Sequence, residues 1–398
     1  MHNPVLDEME EYAIERLPAL LADVDPPAGL DPVIMSLGEP RHAPPEIINR
    51  AVAEHGDKWG RYPPTAGAAA HLEACAGWLE RRYDLAQGMI DPARHVCAAM
   101  GSRESLYMAG DVCIPRTRNG GRPVVAIPNP FYQAYYGAAK LNGAEVAVLS
   151  GTPETGYLPD FSELNGEELR RMAMVYLCTP SNPQGTAAGL DYLCRAVELA
   201  REYDFVLAVD ECYAEIYLGG PTPGILQACA AMGGGLENVL TFNSLSKRSS
   251  APGLRSGFVA GDEAVISRLK RLRAYGGATI PAPLAEAATA LWNDDAHVEA
   301  NRALYREKFD RADEILAGVL GYCRPDGGFF LWLEAGDGEA AARRLWAEAA
   351  VRVVPGAYLG LADRSGVNPG DGRIRVALVD DPATVAEGLT RIRNTLAG

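Results

Sequence analysis

The segment NVLTFNSLSKRSSAPGLRSGFVAGD, residues 238–262, sets two apolar runs around a stretch of Ser, Gly, Ala and Pro that also carries Lys247 and Arg255. Small residues let backbone and ligand approach closely, whereas a lysine ordinarily seeks water. The flanking runs, NVLTF and SGFVAG, have the length and content of buried strands. The segment between them is either a solvated loop with incidental charges or a place where small residues make room for something that both cations serve.

Outward from it the same alternation repeats. PVVAIP, AEVAVL, MVYLCT and FVLAVD read as further strands, separated by amphipathic stretches such as GLDYLCRAVELAREY, whose apolar residues recur every three or four positions. Short apolar strands alternating with helices imply an α/β domain, a mainly parallel sheet sandwiched by helices, expected over residues 46–284. Residues 285–398 read as a smaller α+β domain: a long helical stretch running on from APLAEAATALW, then GGFFLWLEA, another helix, GRIRVALV and a final helix. Residues 1–45 are expected to supply an N-terminal arm and part of that smaller domain, with helical spacing from Leu6 to Leu21 and an extended VIMSLGEP.

Bulk composition narrows the class. A chain of 398 residues suggests two or three domains, and 48% hydrophobic content is enough for a large core. Asp plus Glu outnumber Lys plus Arg by 52 to 37, and a net charge of −15 argues against a nucleic-acid surface. A small anionic substrate must then be met by local arginines. None of the eight cysteines forms a CxxC pair, so neither a zinc site nor a disulfide framework is expected, and reduced thiols in a cytoplasm are. The acidic N-terminus lacks the apolar core of a signal peptide, and no run approaches the ~18 apolar residues that span a bilayer.

In open α/β sheets ligands bind at the carboxyl ends of the strands. Asp210 closes FVLAVD with Tyr213 just beyond, Asn182 lies in the turn after MVYLCT, and Ser244, Ser246 and Lys247 follow NVLTF. In AAMGSRESLYM, Gly101, Ser102 and Arg103 stand where a helix opens, with free N–H groups suited to a phosphate. Singly, each has an ordinary explanation: a helix cap, a core tyrosine, a turn, a capping box in GSRE, a solvated Lys247–Arg248 pair. Converging on one end of one sheet, they describe one ligand. An aldehyde needs an amine, a pyridine nitrogen needs a carboxylate, a phenolate needs hydroxyl and amide donors, and a phosphate needs a helix N-terminus, hydroxyls and an arginine. Pyridoxal 5′-phosphate wants all four.

The ordered set Asp210, Tyr213, Ser244, Ser246, Lys247 and Arg255 resembles the class I/II aminotransferase family of fold-type I pyridoxal-phosphate enzymes, along essentially the whole chain. That resemblance implies that Lys247 binds the cofactor covalently and then shuttles the proton, for which its pKa must fall from ~10.4 to roughly 7–8. It further implies that Asp210 pairs with the pyridinium, that Asn182 and Tyr213 bond the ring oxygen, and that Tyr132 stacks on the ring. Ser102 and Arg103 amides would join Ser244, Ser246 and Arg255 around the phosphate. Arg375 would take the substrate α-carboxylate, with Gly38 a backbone contact beside it. Tyr62 would reach the neighbouring subunit's phosphate, which implies a homodimer with shared sites.

LGEPRH, GSRE, NPFYQ, ECYAEIY and SLSKRSSAPGLRSGFVAGD together are similar to the N-succinyl-diaminopimelate aminotransferase branch of lysine biosynthesis, although AGAAAHLEA lacks the basic residue often found there. The substrates implied are L-glutamate/2-oxoglutarate and N-succinyl-2-amino-6-oxopimelate, both polyanionic. Arg41 is the expected extra cation for them, with His42, Arg61 and Arg103 as further candidates. Other acceptors (N-acetylornithine, N-succinylornithine, aromatic or aspartate-type), a lyase or decarboxylase on the same fold, and an idle ligand-sensing module stay open. No metal is expected, and a nicotinamide enzyme is disfavoured because no GxGxxG follows a strand.

Overall fold

The computed structural model describes residues 2–9 and 13–397. In chain order the strands are β1 Val33–Ile34, β2 Val96–Ala99, β3 Val124–Asn129, β4 Glu145–Ser150, β5 Met172–Cys178, β6 Val206–Asp210, β7 Val239–Ser244, β8 Gly257–Gly261, β9 Phe330–Glu334, β10 Val351–Arg352, β11 Val354–Pro355 and β12 Arg373–Ala377. Seven of them form one sheet in the order β2-β8-β7-β6-β5-β3-β4. β3 to β7 run parallel, and β8 lies antiparallel between β7 and β2.

Successive residues of these strands bury on opposite sides, as period-two alternation requires. Val96, Ala126, Val209 and Phe258 belong to one apolar cluster, together with the helices Ala69–Tyr83, Leu190–Glu202 and Ala282–Trp292. Cys97, Ile127, Ala208 and Val259 belong to the other, with the helices Ser102–Cys113, Gln133–Leu141 and Glu263–Tyr275. The sheet is therefore covered on both faces, which is why its strands read as continuous apolar runs.

The C-terminal third builds a three-stranded antiparallel sheet, β11-β12-β9, and β10 pairs in parallel with β1 from the N-terminal segment. Val33 and Met35 share a buried cluster with Phe309, Leu345, Ile374 and Ile392, so the early chain and the C-terminal third have one core. The helix Ala282–Trp292, through which the expected boundary at 284/285 runs, buries Ala285, Ala288 and Trp292 in the large-sheet cluster. Asn293 ends that helix, and a separate 21-residue helix, Ala296–Leu316, follows.

Three elements differ from the sequence reading. β2 was not foreseen: VCAA has only four residues, and its strand identity comes from pairing with β8. β8 itself is antiparallel, so the sheet is mixed at that edge. The helix expected over Leu6–Leu21 is described as a 3₁₀ turn Pro4–Glu8 and a helix Ala13–Leu20, with residues 10–12 outside the described residues.

Phe258, in β8, packs edge-on against Trp78 and Trp292 at centroid distances of 6.0 and 4.9 Å. Phe258→Ala should cost about 3–5 kcal/mol of stability, read as a lowered urea midpoint with an unchanged slope. A midpoint at the wild-type value would refute this packing.

Candidate active site

Because β3, β5, β6 and β7 run parallel, their carboxyl ends share one edge of the sheet. Asp210 is the last residue of β6 and is 3% exposed. Its Oδ2 accepts from the Tyr135 hydroxyl at 2.8 Å and its Oδ1 from the Cys212 N–H at 3.1 Å. Burial pushes the carboxyl above its ordinary pKa, and those two donors oppose the rise. The Tyr135 ring is itself fixed by stacking on Tyr176, 4.7 Å away.

Lys247 sits on the four-residue helix Leu245–Arg248 that follows β7. Its amine donates to the Gly38 carbonyl and lies 5.1 Å from the centroid of Phe329. Burial lowers its pKa to about 8, with Arg375 adding to the fall and Cys212, Glu39 and Asp210 opposing it. That falls at the upper end of the range expected for a proton shuttle.

A third group of donors gathers where the helix Ser102–Cys113 begins. Gly101 is its cap residue and contributes no side-chain bond, so the capping box imagined for GSRE is not made. Gly101 has φ +83, and a Cβ there would fall 2.7 Å from an Arg255 guanidinium nitrogen. Only glycine serves both demands. Arg255 donates to the Pro252 and Met100 carbonyls, both at 2.9 Å. Ser244 Oγ, 3.0 Å from Ser246 Oγ, also accepts from the Ser246 N–H.

Arg375 comes from β12 of the small sheet and is 6% exposed. Its guanidinium donates to Asn182 Oδ1 at 3.2 Å and to the Ser36 carbonyl at 3.0 Å, and lies 4.4 Å from the centre of the Phe330 ring. Tyr213 packs edge-on against Phe329 and Phe330. Gly38 lies so close to Phe330 that a Cβ would come within 2.7 Å of that ring. Tyr132, which caps the helix Gln133–Leu141, accepts from Arg103 Nε.

These residues enclose a cavity of about 500 Å³. Its lining holds Gly38, Ser102, Arg103, Tyr132, Asn182, Asp210, Tyr213, Ser244, Ser246, Lys247, Arg255 and Arg375 together. Two expected residues are not brought in. Arg41 pairs with Asp380 at 2.5 Å and is not among the lining residues. Tyr62 is fully exposed. Of the other candidates, His42 is hydrogen-bonded to Asn301 and Lys308, and Arg61 is exposed. Tyr135, Cys178 and Cys212 line the cavity and were missed. In the sequence Tyr135 is only the last residue of NPFYQAY, three beyond Tyr132, with nothing local to mark it.

The residues fit the expected cofactor on structural grounds. A buried carboxylate carries two neutral donors and faces the cavity, a depressed lysine lies in the same cavity, and an uncapped helix start stands beside a guanidinium and two serines. Among the described residues no cluster of His, Cys, Asp or Glu could hold a metal, and no helix is long and apolar enough to cross a membrane.

Residues 31–392 match the family described as aminotransferase class I and II. A crystal structure of an aminotransferase from Neisseria meningitidis Z2491 is 38% identical, with a TM-score of 0.94 over 99% of this chain and 100% of that one. The 4-dedimethylamino-4-oxo-anhydrotetracycline transaminase OxyQ of Streptomyces rimosus is 34% identical over 92% of this chain and 94% of its own. An LL-diaminopimelate aminotransferase of Desulforudis audaxviator is 29% identical over 97% of this chain and 95% of its own.

Reductive methylation of the cofactor-free protein should modify Lys247 with a half-maximal rate near pH 8, because the neutral amine reacts and burial places its titration there. Peptide mapping across pH reads this directly. A midpoint above pH 10, as for a solvated lysine, would show that the amine is not desolvated.

Proposed function

The chain belongs to the class I and II aminotransferases, which use pyridoxal phosphate, and on that premise we propose that it moves an amino group between L-glutamate and N-succinyl-2-amino-6-oxopimelate. The observation that carries the catalytic part is a lysine of pKa about 8 in one cavity with buried Asp210 and buried Arg375. The acceptor rests on the motif resemblance, on Arg103 as a further guanidinium in the cavity lining, and on the diaminopimelate named for one relative.

Bound pyridoxal phosphate supplies an aldehyde for amines to condense with and a protonated ring that withdraws electrons from the substrate α-carbon. Asp210 would keep the proton on the ring nitrogen, its own charge favoured by a cation beside it. Asn182 and Tyr213 would donate to the ring oxygen, and Tyr132 would hold the ring. The N–H groups of Ser102 and Arg103, the hydroxyls of Ser244 and Ser246 and the Arg255 guanidinium would hold the phosphate.

Arg375 forks onto the substrate α-carboxylate, with the Gly38 backbone beside it. Lys247 Nζ, neutral once displaced, would take the proton from the substrate α-carbon and deliver it to the aldehyde-derived carbon of the cofactor, across the amino nitrogen that joins the two. Leaving the Gly38 carbonyl frees that amine to move. Substrate and product follow one another in two half-reactions.

A homodimer belongs to the same reading. Tyr62, Trp59 and Tyr275 are large aromatic side chains left exposed on the single chain, which supports a partner covering them and Tyr62 reaching a neighbour's phosphate. The eight free cysteines suit a cytoplasmic location. A second reading has one specific support: Phe131, Tyr157, Leu158, Pro159 and Leu359 give the cavity an apolar wall, which suits a bulky polycyclic acceptor of the kind named for OxyQ.

Arg375→Lys should lower kcat/KM for amino acids at least about a hundredfold, roughly 3 kcal/mol, and change cofactor affinity little. Equal loss for a carboxylate-free amine would remove the carboxylate role. A panel of oxo acceptors given to the glutamate-loaded enzyme tests the acceptor. The N-succinyl compound should react fastest, and Arg103→Ala should slow it about tenfold more than an uncharged acceptor. Preference for a polycyclic ketone would favour the second reading.

A further inference from the structure

Lys247 is tied to the protein at two points, and both lead to residues 36–42. Its amine donates to the Gly38 carbonyl. At its backbone, Asn301 Nδ2 donates to the carbonyls of Lys247 and Arg248, both at 3.2 Å. These are last-turn carbonyls of the helix Leu245–Arg248, which ordinarily lack partners. Asn301, on the helix Ala296–Leu316, is buried, and its Oδ1 lies 2.6 Å from His42 Nδ1 and 3.2 Å from Ser250 Oγ.

The donor and acceptor inventory fixes the direction of every bond. Carbonyls only accept, so the Asn301 nitrogen faces them and its oxygen faces His42. His42 Nδ1 must then carry a proton, which leaves Nε2 of the neutral ring as an acceptor. Lys308 Nζ, 2.6 Å away, donates to it, and also to the Leu378 and Val379 carbonyls at 3.2 Å. The polarity runs one way: Lys308 to His42, His42 to Asn301, Asn301 to the backbone of Lys247.

We propose that Asn301 and His42 are positioning residues for Lys247, joining the turn that carries the lysine to the segment that receives its amine. This rests on Lys247 being the reacting amine. A second proton on His42 would turn Nε2 into a donor facing the Lys308 ammonium, so in acid the Lys308–His42 bond is lost and repulsion between the two cations loosens the ring that holds Asn301. Burial first, and the Lys308 charge with it, hold the His42 pKa below 6.5, against the Asn301 bond. The remaining groups around this pair are the Tyr305 ring, 4.6 Å from His42, Asp380, Asp381 and Glu307 acting on Lys308, and Arg41 paired with Asp380.

The test measures the rate of the half-reaction of the holoenzyme with L-glutamate, followed by cofactor absorbance across pH, with cofactor dissociation measured separately. Asn301→Ala should slow that rate about tenfold while cofactor affinity changes less than threefold. His42→Ala should be slow at every pH. His42→Gln, which offers a donor to Asn301 and an acceptor to Lys308 without titrating, should keep the rate within threefold at pH 8 and lose part of the wild-type decline below pH 6. Wild-type rates in both alanine variants would overturn the proposal, as would an unaltered acid decline in His42→Gln. If Asn301→Ala does not fold, the two His42 variants decide. Borohydride reduction of wild-type holoenzyme and peptide mapping separate the premise: no adduct at Lys247 would mean that the lysine assignment itself has failed.

Discussion

An ammonium group removed from water is stable only if the protein replaces its hydration, and Lys247 is placed where that replacement is incomplete. Among the described residues no carboxylate pairs with it directly; its hydrogen-bond partner is a neutral carbonyl, and Arg375 adds a like charge. The amine thereby loses its proton near neutrality instead of far above it. Much of the architecture serves this condition. The Phe329 and Phe330 rings lie against Lys247 and Arg375, β6 and β7 end at the cavity, and residues 36–38 lie beside both cations.

The end of β6 has its own constraint, since two adjacent acids, Asp210 and Glu211, are both buried. Strand alternation sends them to opposite faces. Glu211 turns away from the cavity and accepts from the Ile225 N–H, the Thr241 hydroxyl and the Tyr83 hydroxyl at 2.6, 2.7 and 2.9 Å. Asp210 turns toward the cavity and receives two neutral donors. One acid is saturated by protein donors and the other retains capacity for a cationic partner, which is the difference between a structural carboxylate and a ligand-binding one.

Much of this was legible in the chain because the relevant signals are local. Six of the seven strands of the large sheet are short apolar runs with clear breaks, and the motifs of Asn182, Asp210 and Ser244–Lys247 follow three of them, whereas Gly101–Arg103 follows the seventh, β2. β2 escaped because its four residues carry no pattern of their own. Tyr135 escaped because its partner, Asp210, lies 75 residues away, and a tyrosine near the start of a helix advertises nothing. The partner of Arg41 was hidden for the same reason: Asp380, with which it pairs, lies 339 residues on. His42, Asn301 and Lys308 come from two distant segments, and only folding sets them in line.

The reversal of β8 has a mechanical corollary. Ser244 and Gly257 sit opposite each other at the mouth of a hairpin whose loop contains both Lys247 and Arg255. Lys247, proposed as the reacting amine, and Arg255, proposed for the phosphate, are thus carried on a single piece, closed at its base by the sheet. Arg375 belongs to another sheet. Any rocking of the C-terminal third against the large sheet would carry Arg375 toward or away from Lys247 while leaving the spacing between Lys247 and Arg255 untouched.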